Sequence, residues 1–279
     1  MDETDMAPYV SLSEQRRLLI ALPPLQEQRA IAEVLGALDD RIDVNSLMLR
    51  SLVAVARKHW RKCSGDCPSV PLGDIAQIGL SGVWGEDHES ENATVETFCL
   101  RGRDLEDLVE RRPPSAPRRW VSKKQIENRT GNAPEIWTAG SGSLGPTLLV
   151  TEKLRAAFAL PLTNSNFVKR LISRPGREAA LPSAWFSLLD AWDAGDFAVC
   201  TTGTAMPNLD AKALLQVTVV PVPARAELDT IARWAELALD PTLLNENRCL
   251  GELRDVLLPK LVSGELRVGD VKSLVEEAV

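Results

Sequence analysis

The segment "LPPLQEQRAIAEVLGALDDRIDVN" (22–45) recurs in altered form as "VPARAELDTIARWAELALDPTLLN" (222–245). At this offset of 200 residues six positions are identical, and they include Pro23 with Pro223 and Asn45 with Asn245. Each copy begins at a proline after an extended apolar stretch. Proline interrupts strands and is tolerated in the first turn of a helix. The repeat therefore predicts two related helices separated by a long, dissimilar insert.

The first copy carries a heptad pattern. Spacings of four and three residues alternate along a coiled-coil seam formed by Ile31, Leu35, Leu38, Ile42, Asn45, Leu49 and Leu52. Asn45 is polar, and a polar seam residue costs stability but can fix register and partner. In the second copy Ile231 keeps the frame, whereas Leu253 and Leu257 follow a shifted frame beyond Pro241. A kink or short skip is therefore expected near Pro241.

Two packing arrangements fit these helices. Periodicity alone is equally compatible with two ordinary amphipathic core helices. Because the two segments are repeats with matching seams, the more economical arrangement is an antiparallel coiled coil.

The insert between the copies has a different composition. Short β-type runs such as "TLLVTE" (147–152) and "VTVVPVP" (217–223) are broken by glycine and proline, and "SAWFSLLDAWDAG" (183–195) reads as a helix with a glycine stop. The chain is therefore expected to be an α+β protein, with an α/β globular domain of irregular, curved sheet flanked by two long helices. The expected division is a tail at 1–22, a first helix at 23–66, the globular domain at 70–223, a second helix at 224–268 and a C-terminal tail at 269–279.

Two groups of residues in the insert are candidates for contact with DNA. Basic side chains, which suit phosphates and guanine edges, are Arg101, Arg103, Arg118, Arg119, Lys123 and Lys124. Small polar side chains on glycine-rich loops, which suit close approach to bases, are Ser141, Ser143, Asn164, Asn166, Thr201, Thr202, Thr204 and Asn208. Acidic residues are interspersed with the basic ones, so a solvated mixed-charge face is the alternative. Asn208 follows Pro207 and could instead stabilise a turn.

Several classes of function find no support in the sequence. Neither of the two histidines has an evident catalytic partner, no metal-ligand spacing stands out, and "GSGSLG" (140–145) lacks the lysine of a phosphate-binding loop. We therefore expect no catalytic residue, no metal and no cofactor in this chain. The net charge of −7 argues mildly against a protein coated in positive charge, but it leaves room for a local basic surface. Five scattered cysteines and an acidic N-terminus without an apolar core segment suggest a cytoplasmic protein.

A resemblance to a known family rests on several stretches. The segment 22–45 resembles the conserved region of the specificity subunit of type I restriction–modification enzymes, and "LGELRDVLLPKLVSGELRV" (250–268) resembles the C-terminal ending of that family. The start of the insert, "VPLGDIAQIG" (70–79), resembles the opening of a target-recognition domain. Three further stretches resemble later parts of such a domain: "FCLRGRDL" (98–105), "RRWVSKKQIENR" (118–129) and "TGTAMPNLDAKALL" (202–215).

The resemblance implies a non-catalytic, prokaryotic subunit that reads DNA and holds other proteins. Its partners would be double-stranded DNA, methyltransferase subunits that use S-adenosylmethionine, and nuclease–translocase subunits. Full-length members have two recognition domains, whereas here only residues 1–22 precede the first helix, and "LSEQRRLLIALPPL" (12–25) resembles the last strand of a missing domain. A half-type or truncated subunit is expected, which a homodimer or a second half-subunit would complete. The alternative is a regulator or remnant that occupies methyltransferase subunits without reading DNA.

Overall fold

A computed structural model describes residues 11–18, 22–110, 112–130, 134–142 and 144–272. The chain divides into two compact units, one formed by Met1–Arg41 with Leu250–Val279 and the other by Ile42–Cys249. Neither unit coincides with a single region of the division expected from the sequence, and that division stays a prediction.

The described helices are numbered in chain order. They are α1 (Leu12–Gln15), α2 (Leu25–Ser64), α3 (Gly102–Val109), α4 (Lys123–Thr130), α5 (Glu152–Ala156), α6 (Leu181–Asp193), α7 (Ala211–Val217), α8 (Arg225–Ala238) and α9 (Thr242–Ser263). Short 3₁₀ turns occupy Leu72–Asp74, Glu178–Ala180 and Asp196–Cys200.

The described strands are short. They are β1 (Ser69–Pro71), β2 (Ala76–Ile78), β3 (Val95–Leu100), β4 (Arg118–Val121), β5 (Glu135–Ala139), β6 (Thr147–Val150), β7 (Leu162–Asn164), β8 (Val168–Ser173), β9 (Thr201–Thr202), β10 (Asn208–Leu209) and β11 (Val219–Pro221).

The strands form several small sheets rather than one continuous sheet. A four-stranded antiparallel sheet has the order β2-β8-β5-β6. A three-stranded sheet has the order β4-β3-β7, in which β3 and β7 run parallel. The pairs β1–β11 and β9–β10 are antiparallel and stand apart. The predicted α+β class is confirmed.

The core of the larger unit is built around β5. All five residues of this strand are buried, and since successive side chains point to opposite faces, both faces of the strand are covered. Helices α3 and α6 pack against β5 and β6. Trp137 of β5 and Phe186 of α6 are among the largest fully buried side chains. This packing gives the surrounding loops a rigid support.

The C-terminal part of α2 is bound to α6 by polar contacts. The Trp60 indole Nε1 donates a hydrogen bond to Ser183 Oγ at 2.8 Å, and the Ser183 hydroxyl donates to the carbonyl of Pro221 at 2.8 Å. Arg57 and Arg61 both bind the carboxylate of Asp190, with 2.8 Å between Arg61 Nη2 and Asp190 Oδ1. The end of the long helix is therefore held by hydrogen bonds and ion pairs as well as by apolar contact.

The break predicted near Pro241 is present. Helix α8 ends at Ala238 and α9 begins at Thr242. Asp240 accepts a hydrogen bond from the backbone N–H of Thr242 at 2.9 Å, which supplies a side-chain acceptor for the start of the new helix. Proline lacks an N–H and would clash inside a continuous helix, so the chain ends one helix and starts another.

The prediction of a strand within 12–25 is wrong for its first residues. Leu12–Gln15 forms a helical turn because Ser11 and Glu14 make a reciprocal capping box, with 3.2 Å from the Glu14 amide to Ser11 Oγ. Residues 19–21 lie outside the described part of the chain.

Candidate nucleic-acid interface

Three polar loops of the insert meet at one place, which we call the loop edge: residues 140–142, 165–167 and 201–208. Backbone hydrogen bonds join them. The Gly140 amide donates to the carbonyl of Phe167 at 2.6 Å, and the Leu209 amide donates to the carbonyl of Gly140 at 3.0 Å. The Gly142 amide donates to the carbonyl of Pro207 at 3.0 Å. The loops are therefore held together by main-chain hydrogen bonds.

Glycine is required at two positions of the loop edge. A Cβ built on Gly140 would lie 2.8 Å from the Lys169 side chain and 2.9 Å from the carbonyl of Phe167. Gly203 has φ of 85°, which other residues rarely adopt. These glycines let the loops approach each other closely and turn sharply.

Most of the predicted polar candidates lie on the loop edge. Asn166, Thr202, Thr204 and Asn208 are exposed, and Ser141 and Thr201 are half-buried. Some are partly used within the loops: Thr202 Oγ1 donates to the carbonyl of Asn208 at 3.3 Å, and Asn208 Nδ2 donates to the carbonyl of Met206 at 3.0 Å. The second of these bonds is the turn role expected as the alternative for Asn208. Ser143 lies outside the described residues.

Asn164 has a structural position. It is 1% exposed, and its amide donates to the carbonyls of Ser165 at 3.2 Å and Val168 at 3.1 Å. It sits at the end of β7, where the strand pairs with β3, so its side chain holds the loop rather than facing solvent. Sequence reasoning could not separate Asn164 from Asn166, because residues two apart would share one face of a continuous strand, whereas β7 ends at Asn164 and Asn166 lies in the loop beyond it.

The predicted basic residues lie on three elements, at the start of α3, on β4 and in the first turn of α4. Arg101 and Arg103 flank the loop edge, since a Cβ on Gly102 would lie 3.5 Å from the Ala139 side chain and 3.8 Å from the carbonyl of Ser141. Lys123 and Lys124 are exposed in the first turn of α4. The last turn of that helix is held by Arg129, whose Nη2 donates a hydrogen bond to the carbonyl of Ser81 at 2.9 Å.

Three of the six basic candidates are held in contacts within the protein. Arg101 binds Asp104 at 2.8 Å, and the hydrogen bond to that carboxylate raises the pKa of the arginine. Arg119 is 9% exposed, pairs with Asp87 and stacks 4.3 Å above the ring of Trp84. Arg118 is exposed on β4 with Glu96 3.5 Å away. Arg103, Lys123 and Lys124 are exposed and make no ion pair with another described residue.

Apolar side chains that the sequence did not single out add to the loop edge. Phe167 and Met206 are 61% and 59% exposed at its surface. Beside it lies a groove of about 670 Å³ lined in part by Gly142, Trp192 and Pro207. The loop edge thus combines exposed amides and hydroxyls with apolar groups, a mixture that suits base edges and the thymine methyl group.

The insert also contains a buried charge cluster that sequence reasoning missed. Glu135 of β5 is fully buried and binds both Arg155 and Arg170, with 2.6 Å between Arg170 Nε and Glu135 Oε2. Burial lowers the pKa of Arg155, and the charge of Glu135 opposes that effect. The signal in the sequence is a glutamate at the start of an otherwise uncharged strand.

The predicted seam lies on the inner face of the long helices. Ile31, Leu38, Asn45, Leu49, Ile231 and Leu257 are buried, and Leu35, Ile42, Leu52 and Leu253 are half-buried. In the larger unit, Asn45 Nδ2 donates to Asn247 Oδ1 at 3.0 Å, and the rings of His59 and Trp234 are 5.3 Å apart. Residue numbers rise along one helix as they fall along the other, so this part of α2 runs antiparallel to α8 and α9. In the smaller unit, Arg254 Nη1 donates to Asp39 Oδ1 at 2.8 Å.

Among the described residues, no group of three or more histidine, cysteine or acidic side chains could hold a metal ion. His59 Nε2 and Cys63 Sγ approach to 3.5 Å, but Cys67 is directed to the carbonyl of Cys63 at 3.3 Å. No helix within the described ranges is both long and apolar enough to cross a bilayer.

Comparison with known proteins identifies the fold. No family model matches the sequence, and no curated protein matches it. The crystal structure of a type I restriction–modification system S subunit from M. genitalium is similar to this chain, with 17% sequence identity and a TM-score of 0.50. The match covers 85% of this chain and 61% of the M. genitalium chain. The chain has the fold of a type I S subunit.

A second solved structure, the HsdS subunit from Thermoanaerobacter tengcongensis, has 18% sequence identity and a TM-score of 0.38. That match covers 95% of this chain and 65% of the HsdS chain. This chain spans about three fifths of the length of the S subunit from M. genitalium. The fold expected from the segments 22–45 and 250–268 is confirmed.

Proposed function

We propose that this protein is the DNA sequence-recognition and scaffold subunit of a type I restriction–modification complex and has no catalysis of its own. The observation that carries the proposal is the S-subunit fold, with one polar loop edge on the domain between its two helical segments. In this proposal the loop edge reads one half-site of a bipartite DNA target, and the helices bind methyltransferase subunits.

The loop edge suits a base-reading role because its amides and hydroxyls are exposed on a rigid frame. Asn166 and Thr204 make no hydrogen bond to another described residue and are exposed. Asparagine can form two hydrogen bonds to adenine in the major groove, and a good pair of this kind discriminates by about 1–3 kcal/mol. Arg103, Lys123 and Lys124 remain as the candidates for phosphate contacts.

The proposed partners follow from the same assignment. Methyltransferase subunits would bring S-adenosylmethionine and the chemistry of methyl transfer, and nuclease–translocase subunits would join them. One loop edge supplies one half-site, so a second copy or a second half-subunit would supply the other. A pair of identical copies has two-fold symmetry and would therefore read a palindromic target.

The test is methylation mapping of host DNA with and without this chain, together with its methyltransferase subunit. A defined bipartite motif that disappears with the chain supports the proposal. An unchanged methylation pattern supports the alternative, a remnant that occupies methyltransferase subunits without reading DNA.

Binding measurements on the reconstituted complex separate the two kinds of contact. The double variant Lys123→Ala/Lys124→Ala should weaken binding to all sequences and reduce the slope of log K against log salt by roughly 2, because each lost phosphate contact contributes about 0.9. Asn166→Ala should instead relax the preference for one base and leave the slope unchanged. Lys212→Ala, an exposed lysine on α7, is the matched control for charge. If the control and the double variant behave alike, α4 does not contact DNA.

A further inference from the structure

One turn of the loop edge presents a phenylalanine to solvent. Residues 165–168 form a β-turn, in which the Val168 amide donates to the carbonyl of Ser165 at 3.1 Å. We call these four residues the apical turn. Ser165 and Val168 at its ends are each 1% exposed, whereas the two central residues, Asn166 and Phe167, are exposed. Only these two side chains of the turn therefore face solvent.

The main chain of the apical turn is fixed by its neighbours. The buried amide of Asn164 donates to the carbonyls of Ser165 at 3.2 Å and Val168 at 3.1 Å. The Gly140 amide donates to the carbonyl of Phe167 at 2.6 Å. Because the turn is already ordered, little main-chain freedom is lost when its exposed side chains bind a ligand.

The ring of Phe167 is not part of the core. It is 61% exposed and makes no aromatic or cation–π contact with another described residue. Turns are dominated by Gly, Pro, Asn, Asp and Ser, and a phenylalanine left mostly in water forgoes the stabilisation that its burial gives. The ring is instead available for contact with a ligand.

The two exposed side chains match the major-groove edges of A·T base pairs. Such a pair presents the hydrogen-bonding atoms of adenine together with a single apolar group, the C5 methyl of thymine. An asparagine amide suits the adenine, and a phenylalanine ring suits the methyl group. Neighbouring Cα atoms are about 3.8 Å apart and neighbouring base pairs about 3.4 Å apart. Asn166 and Phe167 thus have the spacing of consecutive base pairs.

We propose that Phe167 is a specificity-determining residue that contacts the C5 methyl group of a thymine in the half-site, while Asn166 binds an adenine in the neighbouring base pair. The half-site then contains two consecutive A·T base pairs. This inference rests on the proposed function and deepens it, because it assigns two bases of the target to two residues of one turn.

Replacement of thymine by deoxyuridine tests the contact, because it removes the methyl group alone. The target motif is first obtained by methylation mapping, and each thymine of the half-site is then replaced singly. Binding by the chain in complex with its methyltransferase subunits is measured at constant salt. At one thymine the dissociation constant of the wild-type complex should rise about fourfold, which corresponds to about 0.8 kcal/mol for one buried methyl-sized group.

Variants of Phe167 show whether this residue is responsible. Phe167→Ala should weaken binding to the thymine-containing DNA and remove the response to deoxyuridine at that position. Phe167→Leu, which stays apolar, should keep part of the response. Leu237→Ala is the matched control, because Leu237 is 50% exposed on α8, and it should change neither the affinity nor the response. Circular dichroism establishes that each variant is folded.

Asn166→Ala locates the adenine. Selection of preferred sequences from a randomised half-site should show a relaxed preference at the base pair next to the thymine that Phe167 contacts. Relaxation two or more base pairs away, or a half-site without consecutive A·T pairs, contradicts the paired contact.

Insertion of the ring between base pairs would give a different signature. The fluorescence of 2-aminopurine, placed beside the thymine and away from the methylated base, reports unstacking. An unchanged signal on binding supports contact at the base edge, whereas an increase that Phe167→Ala removes overturns it.

Failure of this inference is distinguishable from failure of the proposed function. If the wild-type complex reads a defined motif but Phe167→Ala responds to deoxyuridine as the wild type does, the methyl contact is refuted and the proposed function stands. A complex that reads no motif refutes both.

Discussion

Asn247 connects the two long helical segments through a buried polar contact. It is 1% exposed and accepts a hydrogen bond from Asn45 Nδ2 at 3.0 Å. It also donates to Ser46 Oγ at 3.1 Å and to the carbonyl of Ile42 at 3.3 Å. Replacing it with leucine removes all three bonds and leaves the buried amide of Asn45 without its acceptor.

The cost of Asn247→Leu can be estimated from these contacts. An intramolecular hydrogen bond contributes about 1 kcal/mol net, and a buried polar group left unsatisfied costs about 1–3 kcal/mol. Burial of the added apolar surface offsets about 1–2 kcal/mol. For three lost bonds these magnitudes give a fall in the free energy of unfolding of about 2–5 kcal/mol. Asn45→Leu should cost less, because it removes one of the three bonds, although it leaves the Asn247 oxygen unpaired.

The double variant Asn45→Leu/Asn247→Leu is the decisive comparison. When both polar partners become apolar, no buried amide is left unpaired, so the loss should be smaller than the sum of the single losses by about 1–2 kcal/mol. Urea unfolding, followed by tryptophan fluorescence and far-ultraviolet circular dichroism, measures the free energy of unfolding of each variant. A shift of the urea midpoint without a change in the dependence of this free energy on urea concentration indicates a change in stability.

Asn245→Leu is the matched control for this series. Asn245 is the residue that the sequence repeat aligns with Asn45, but it is half-buried and its side chain makes no bond to Asn45. Its replacement should cost well under 1 kcal/mol. If Asn247→Leu is no more costly than Asn245→Leu, or if the double loss equals the sum, the buried amide contact does not stabilise the helix pair.

Three further predictions concern other groups. Glu135→Gln should lower the free energy of unfolding by about 3 kcal/mol in urea titrations, because buried Arg170 and half-buried Arg155 lose their counter-charge, whereas Glu152→Gln at an exposed site should change little. Burial raises the pKa of Cys99 to about 11, so a thiol reagent at pH 8 should label exposed Cys249 and spare Cys99 until the protein unfolds. Burial raises the pKa of Asp190, but hydrogen bonds from two arginines outweigh it and hold the pKa below its usual value. The stability that this carboxylate contributes is therefore present above its unfolded pKa and lost as the pH falls, and Asp190→Asn should flatten the acid limb of the stability profile.

Local patterns were sufficient to predict the long helical segments and helix α6. The heptad spacing of α2, the break at Pro241 and the helix at Leu181–Asp193 are all set by residues close in sequence. Such patterns depend on the period of the helix and on proline geometry, which a single sequence displays directly.

Helices α3 and α4 were not predicted from the sequence. Their charged residues were interpreted only as candidates for DNA contact, although both segments also carry helix-start signals. The Ser122 amide donates to Gln125 Oε1 at 2.8 Å, and the Gln125 amide donates to Ser122 Oγ at 3.2 Å. A Ser-x-x-Gln sequence of this kind is a recognised capping box, so α4 could have been predicted.

The roles of the basic residues could not be predicted from the sequence. Arg118 and Arg119 are neighbours, but alternation along β4 exposes Arg118 and buries Arg119. The partners of Arg119, Asp87 and Trp84, lie more than thirty residues away in the chain. Which basic residue is available to DNA depends on these long-range contacts, and the same holds for the choice of Asn247 over Asn245.

The pairing of Asn45 with Asn247 has a consequence for how such chains can be recombined. The repeat aligns Asn45 with Asn245, so the contact lies two residues out of step with the alignment. The two copies are thus similar in sequence but not interchangeable in place. A chimaera that put the second segment where the first one stands would place Asn247 at position 47, on an exposed face of the helix, and the reverse exchange would put Leu47 in the place of Asn247. Exchange between related genes would succeed when each segment moves together with the one that faces it.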